Sequence, residues 1–162
     1  MSTKRKIPHN DGVYFITFTC YKWLSLFELT NGYDILYKWF DYLKSNGHHI
    51  VVYVVMPNHL HVLIAFSNSK KSINTIIANG KRFMAYEIIT RLMEAKEIKV
   101  LEELTQGVSA RELKRGKLHE VFEPSFDWKE CTHNLAQVLG GARECAGLVP
   151  TTGQRVNEQM KK

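Results

Sequence analysis

The sequence lacks the features that mark a membrane-spanning or disulfide-rich protein. Its 162 residues include only 3 cysteines, Cys20, Cys131 and Cys145, and these form no CxxC pair. An odd and sparse set of cysteines is typical of a reducing compartment. No apolar run approaches the roughly 20 residues that a bilayer span requires. The longest candidate, residues 50–66, is interrupted by a proline, an asparagine and two histidines. We therefore expect no membrane association.

The start of the chain, MSTKRK, is basic, but no apolar segment follows it. A secretory signal needs such a segment, so we expect a cytoplasmic protein. With 44% hydrophobic and 23% charged residues, the composition is that of a globular domain and excludes an intrinsically disordered chain. The formal net charge of +6 makes a polyanion such as nucleic acid a reasonable partner. A charge that serves only solubility explains the excess equally well.

Aromatic residues make up 11% of the chain, yet none follows Trp128. The end of the sequence instead carries small, scattered apolar residues, a Gly140-Gly141 pair and the stretch VPTTG at residues 149–153. Such a composition does not continue the pattern of the preceding chain. We therefore divide the sequence into a domain of residues 1–130 and an atypical C-terminal tail of residues 131–162.

Hydrophobic spacing within the domain predicts alternating strands and helices. Strands are predicted at residues 13–20, 50–56, 59–66 and 118–128, and helices at 33–43 and 73–96. Ser72 is the predicted N-cap of the second helix, and Pro124 places the last strand at an edge or a bulge. The charged residues 97–119 either extend the second helix or form an insertion. The order is βαββαβ, which predicts a ferredoxin-like α+β fold with an antiparallel sheet and helices on one face.

One strand, HLHVLIAF at residues 59–66, carries two histidines separated by one residue. Side chains alternate between the two faces of a strand, so His59 and His61 share a face with Leu63 and Ala65. The opposite face is uniformly apolar and is the predicted core face. Two imidazoles that project together can bind one divalent metal. The HxH spacing alone is a weak signal, because two half-buried histidines without a ligand fit it as well.

Basic residues follow the histidine pair and suit contact with phosphate groups. They are Lys70, Lys71, Lys81 and Arg82, with a second group at Lys114, Arg115 and Lys117. Each of them fits an ordinary solvated surface equally well.

Tyr86 is the only tyrosine after the histidine pair. A tyrosine hydroxyl can attack phosphorus and hold the strand end as a phosphotyrosine, while a metal on two histidines would polarise the phosphate. The alternative for Tyr86 is simple packing, since an aromatic residue on an amphipathic helix usually lies at the core boundary.

The segment VVMPNHLHVLI, residues 54–64, closely resembles the HUH segment of single-tyrosine transposases, in which U is a hydrophobic residue. The IS200-like and REP-associated tyrosine transposases are the nearest branches. Three further segments match the layout of that family: VYFITFT at residues 13–19, KRFMAY at 81–86 and VFEPSF at 121–126. The resemblance covers roughly residues 8–131.

This resemblance implies a ferredoxin-like protein that cuts and rejoins single-stranded DNA at imperfect hairpins, without a nucleotide cofactor. A divalent metal, Mg²⁺ or Mn²⁺, would bind His59 and His61. Tyrosine would be the nucleophile and form a 5′-phosphotyrosine link. Members of the family occur as monomers and as dimers, so a homodimer is one option for this chain.

The nucleophile of the family does not carry over. It lies on a helix after the last strand, near an asparagine or glutamine that completes the metal site, and the tail here has no tyrosine. We hypothesise that a frameshift, recombination or truncation replaced that helix. Three alternatives follow: Tyr86 acts instead, a partner chain supplies a tyrosine, or the chain is a domesticated module that binds hairpin DNA without cutting it. Asn134 or Gln137 would be an extra metal ligand.

Unrelated metalloenzymes fit the sequence poorly. A cupin-type site needs a glutamate a few residues after the HxH pair, and residues 62–72 contain no acidic residue. A phosphoesterase would need two HxT or HxS motifs, which the sequence does not provide.

Overall fold

The computed structural model describes residues 6–131. In this part of the chain the strands are β1 (Gly12–Thr19), β2 (His49–Val55), β3 (His59–Phe66) and β4 (Asp127–Glu130). The helices are α1 (Leu26–Leu29), α2 (Tyr33–Ser45), α3 (Ile73–Glu94), α4 (Ile98–Gln106) and α5 (Ala110–Leu113), and a 3₁₀ turn spans Tyr21–Trp23. None of the described helices is both long enough and apolar enough to cross a membrane.

The four described strands form one antiparallel sheet in the order β2-β3-β1-β4. This order, with α2 between β1 and β2 and α3 between β3 and β4, confirms the predicted ferredoxin-like α+β fold. The central pair β1–β3 is in unbroken register from Gly12 opposite Phe66 to Thr19 opposite His59. The β2–β3 pair has a register shift between Ile50 and Val52.

One face of the sheet forms the hydrophobic core, because alternate residues of β1 and β3 are buried there against the helices. The strand residues of this core include Tyr14, Ile16, Phe18, Leu60, Val62, Ile64 and Phe66. The helices α2 and α3 supply Leu36, Trp39, Phe40, Leu43, Ile77, Met84 and Ile88, among others. The histidines of β3 therefore project from the opposite face.

The predicted strand at residues 118–128 is wrong over most of its length. Only Asp127–Glu130 pairs as β4, while the preceding residues follow an irregular path with one isolated bridge, Cys20 to Phe122. Val121 and Phe122 are buried, and the Phe122 ring packs against Phe18 of β1 and Phe27 of α1. Pro124 lies outside the strand, consistent with its missing N–H donor.

The second predicted helix is confirmed at its start. The Ser72 hydroxyl caps α3 by accepting a hydrogen bond from the Thr75 N–H at 3.2 Å. The helix ends at Glu94, and Lys96 then adopts a left-handed φ of 56°. Residues 97–119 contain the separate helices α4 and α5, so they form an insertion and do not extend α3.

The contact between α2 and α3 depends on Gly80. A Cβ atom at this position would lie 2.6 Å from Cε2 and 3.0 Å from Cδ1 of the Trp39 indole. The indole therefore lies against the backbone of α3, at a distance that only glycine allows. Its buried Nε1 has no hydrogen-bond partner among the described residues.

We expect Gly80→Ala to lower the free energy of unfolding by about 1–2 kcal/mol, because overpacking against Trp39 outweighs the roughly 1 kcal/mol gain in helix propensity. In a Trp39→Phe background the same change should be neutral or stabilising, because the smaller ring leaves room. Ala78→Gly, at an exposed position of α3, is the control for propensity. Urea denaturation compares the stability of five proteins: wild type, Gly80→Ala, Trp39→Phe, the double variant and Ala78→Gly. A Gly80→Ala protein more stable than wild type would contradict the packing described.

Candidate functional site

His59 and His61 lie side by side on the sheet face opposite the core. Their ring centroids are 4.8 Å apart and the ring planes are nearly perpendicular, at 87°. Both side chains are half-buried. The alternation of β3 therefore places the two imidazoles together, as the sequence pattern predicts. Leu63 and Ala65, which follow on the same face, are buried.

The ring of His61 is held by residues of the neighbouring strand β1. Thr17 is its cross-strand partner, and the Thr17 hydroxyl forms a 2.7 Å hydrogen bond with His61 Nδ1. Phe15 stacks on the same imidazole with a centroid distance of 5.7 Å and an interplanar angle of 15°. Together these contacts fix the plane of the ring and occupy one of its two nitrogens.

The ring of His59 is held by its chain neighbour Asn58. The Asn58 amide Nδ2 donates to the Trp23 carbonyl at 3.2 Å, so its Oδ1 is the atom that faces His59 Nδ1, at 2.7 Å. Because that oxygen can only accept, Nδ1 of a neutral His59 carries the proton. The lone pair of the ring is therefore on Nε2.

In both rings the nitrogen left for a metal is Nε2. Metal-binding histidines usually have their other nitrogen hydrogen-bonded in this way, which orients the ring and sets its tautomer. Burial lowers the pKa of His59 below its ordinary value, and it lowers the pKa of His61 with a smaller contribution from the neighbouring His59. Both effects favour the neutral imidazole, which is the form that binds metal.

Residues 6–131 contain no cluster of three or more His, Cys, Asp or Glu side chains that could hold a metal ion, so the two imidazoles are the candidate donors at this site. The donor set suits a divalent ion whose other ligands are water or phosphate oxygens. Asn134 and Gln137, the predicted extra ligands, lie outside the described residues, as does the whole tail apart from Cys131.

Further side chains of β4 reach this face by strand register. Asp127 pairs with Thr17, and Lys129 pairs with Phe15, so their side chains share the histidine face. The sequence pattern assigned neither residue to the site. The predicted strand at residues 118–128 includes Asp127 but gives no pairing with Thr17, and it ends before Lys129. Asn58 was part of the resembling segment, but its role toward His59 depends on the position of the Trp23 carbonyl.

The predicted phosphate-binding residues are not gathered around the histidines. Lys70 and Lys71 are exposed in the loop that leaves β3 at Phe66, the end of the strand far from His59. The strand is eight residues long and rises about 3.3 Å per residue, so its two ends lie well apart. Arg82 is exposed on α3, with its guanidinium carbon 5.3 Å from the centroid of the Phe83 ring.

Lys81 points into the protein. Its ammonium donates to the backbone carbonyls of Glu123 at 2.6 Å and Ser125 at 3.1 Å. It also lies 5.9 Å from the ring centroids of Phe18 and Phe122 on the core side of the sheet. Burial lowers the pKa of Lys81 to about 8. In this arrangement Lys81 fixes the irregular segment before β4.

The second basic group, Lys114, Arg115 and Lys117, also contains one residue held by other side chains and two exposed residues. Lys117 forms ion pairs with Glu112 and the buried Glu120. Lys114 and Arg115 are exposed.

Tyr86 lies on α3, with 63% of its surface exposed. This helix packs on the core face of the sheet, whereas His59 and His61 project from the opposite face. The sheet therefore stands between the Tyr86 hydroxyl and the two imidazoles. Within the described residues of one chain, the structure does not bring this tyrosine and the histidine pair together.

The fold of this chain has distant neighbours among solved structures. No protein-family model matches the chain, and no curated protein matches it. A REP-associated tyrosine transposase bound to a REP hairpin is 15% identical, over 89% of this chain and 74% of that one, with a TM-score of 0.46. A putative transposase from Deinococcus radiodurans R1 is 16% identical, over 89% of this chain and 97% of that one, with a TM-score of 0.47. Likeness at this level does not decide the function of this chain.

The hydrogen bond from His59 to Asn58 predicts a measurable change of tautomer. In Asn58→Ala the ring loses its acceptor, so we expect His59 to shift from the Nδ1–H form toward the Nε2–H form. Asn58→Asp retains an acceptor and should keep the Nδ1–H form. Imidazole ¹⁵N chemical shifts, recorded at a pH where the rings are neutral, report the tautomer. His61 is the internal control, and an unchanged His59 spectrum in Asn58→Ala would contradict the assigned contact.

Proposed function

We propose that this protein is a transposase-like protein that binds single-stranded or hairpin DNA through a divalent metal held by His59 and His61. The observation that carries the proposal is the geometry of the imidazole pair. Both rings lie on one face of the sheet, both have Nδ1 engaged, and both leave Nε2 for a metal. The resemblance of residues 54–64 to the HUH segment supports the same site.

In this proposal the metal is Mg²⁺ or Mn²⁺, and no nucleotide cofactor takes part. When bound, the ion would polarise the scissile phosphate and orient it. The residues of the chain have separate tasks. His59 and His61 hold the ion, while Thr17 and Asn58 fix the plane of each ring and keep one nitrogen occupied. Lys70, Lys71 and Arg82 remain proposed contacts for the DNA backbone away from the metal.

The activity proposed by resemblance is cutting and rejoining of DNA through a phosphotyrosine link. The position of Tyr86 decides which subunit would supply the nucleophile for that activity. Because the sheet separates Tyr86 from the imidazoles of its own chain, a working Tyr86 would come from the second subunit of a homodimer.

The second candidate function is a module that binds hairpin DNA without cutting it. Two observations favour it: Tyr86 is on the other side of the sheet from the histidines, and the tail contains no tyrosine. The same metal-bearing face and the same basic surface residues would serve this function. The two candidate functions therefore use the same metal and DNA site, and they differ only in whether a tyrosine nucleophile reaches it.

A single assay separates these functions. The full chain is incubated with labelled single-stranded hairpin DNA and Mn²⁺, and the products are compared before and after denaturation. We expect DNA retardation under native conditions. A covalent adduct that is lost in Tyr86→Phe assigns Tyr86 as the nucleophile, and retarded but uncut DNA selects the binding module.

The variant His61→Ala should abolish metal-dependent DNA binding and cleavage. It should keep much of the salt-dependent affinity for DNA, because phosphate contacts supply most of that affinity. His49→Ala, an exposed histidine of β2, is the matched control and should behave as wild type. A wild-type protein that fails to retard the DNA, or a His61→Ala protein with unchanged metal dependence, would contradict the proposal.

A further inference from the structure

Trp23 is a large aromatic residue exposed beside the histidine pair. Its surface is 62% exposed, although tryptophan is highly buried on average. The indole contacts His59 edge to face, with a centroid distance of 5.5 Å and an interplanar angle of 71°. This contact covers only part of the ring system. An exposed aromatic surface therefore lies beside the imidazole of His59, one of the two rings proposed to hold the metal.

The backbone that presents Trp23 is strained. Lys22 and Trp23 have φ angles of 49° and 59°, two consecutive non-glycine residues in the left-handed region. This conformation is unfavourable for residues other than glycine, because the Cβ atom comes too close to the following carbonyl oxygen. Strain of this kind persists where the surrounding structure enforces it, and it concentrates at functional sites.

Three hydrogen bonds hold the backbone of Lys22 and Trp23 in this conformation. The Lys22 N–H donates to Glu123 Oε1 at 2.9 Å, and the Trp23 N–H donates to the Cys20 carbonyl at 3.0 Å. Asn58 Nδ2 donates to the Trp23 carbonyl at 3.2 Å. The last bond belongs to the same side chain that orients His59. The indole and the imidazole are therefore positioned by one shared residue.

We propose that Trp23 stacks on an unpaired base of the DNA strand whose phosphate lies at His59 and His61. This inference rests on the proposed function and adds the residue that contacts the base next to the metal-bound phosphate. Aromatic side chains bind single-stranded nucleic acid by stacking, because every base has a π-face. A rigid, outward-facing indole loses little conformational freedom when a base stacks on it.

The test measures the affinity of the full chain for a fluorescein-labelled hairpin with single-stranded flanks, in the presence of Mn²⁺. Trp23→Ala should weaken binding about 10-fold or more, while Trp23→Phe should retain most of the affinity. The slope of log K against log salt should be the same as in wild type, because no phosphate contact is removed. Tyr42→Ala is the control: Tyr42 is 53% exposed, but lies on α2, which packs on the core face of the sheet.

Two further measurements distinguish stacking from a structural role. Oligonucleotides with one abasic nucleotide, moved along the flank, should reveal a position where base removal weakens wild type but not Trp23→Ala. Bound DNA should quench tryptophan emission in wild type and much less in Trp23→Phe, because Trp39 is buried and Trp128 is half-buried. The quenching comparison does not use Trp23→Ala, so it still tests the stacking role if that variant does not fold.

The outcomes separate this inference from the proposed function. If wild type binds the DNA and Trp23→Ala binds it equally well, with no abasic position that differs, the stacking role is overturned and the proposed function stands. If Trp23→Ala loses Mn²⁺ affinity in proportion to DNA affinity, Trp23 only supports His59 and the stacking role is again overturned. If wild type does not bind single-stranded DNA, both fail.

Discussion

The unbroken antiparallel pairing of β1 with β3 is the constraint on which the rest of the structure depends. Its register, from Gly12 opposite Phe66 to Thr19 opposite His59, decides which side chains face the helices. A slip of one residue would turn every side chain of β3 to the other face and drive both imidazoles into the core. The apolar residues Leu60, Val62 and Ile64 resist that slip, because they are fully buried on the helix side. The burial that stabilises the fold therefore also fixes the direction of His59 and His61.

The site is built from contacts that come from different parts of the chain. Thr17 of β1 holds one imidazole, and Asn58, in the turn before β3, holds the other. The 3₁₀ turn after β1 supplies the Trp23 carbonyl that sets the orientation of the Asn58 amide. Metal binding and base stacking would therefore be coupled through a few hydrogen bonds, with no large movement required. The helices on the core face contribute stability and place Tyr86 away from this chemistry.

The sequence predicted the elements whose patterns were strong, and it failed where tertiary contacts replaced local ones. The strand at residues 59–66 and the N-cap at Ser72 were predicted to the residue, because alternation and capping are local signals. The last strand was misplaced because Phe122 is buried without being part of a strand. The Lys81 ammonium binds two backbone carbonyls from residues more than 40 positions away. The presence of a basic residue on a helix does not predict such a position. The left-handed backbone at Lys22 and Trp23 has no sequence signature either, since neither residue is a glycine or an asparagine.

Every proposed role of this protein requires that His59 and His61 together bind one divalent ion. Titration of the full chain with Mn²⁺, followed by electron paramagnetic resonance of the free ion, tests it without DNA. We expect one bound ion per chain that is lost in His59→Ala and, separately, in His61→Ala, and that persists in His49→Ala. Retention of the bound ion in either of the first two variants would show that the two imidazoles do not bind it together.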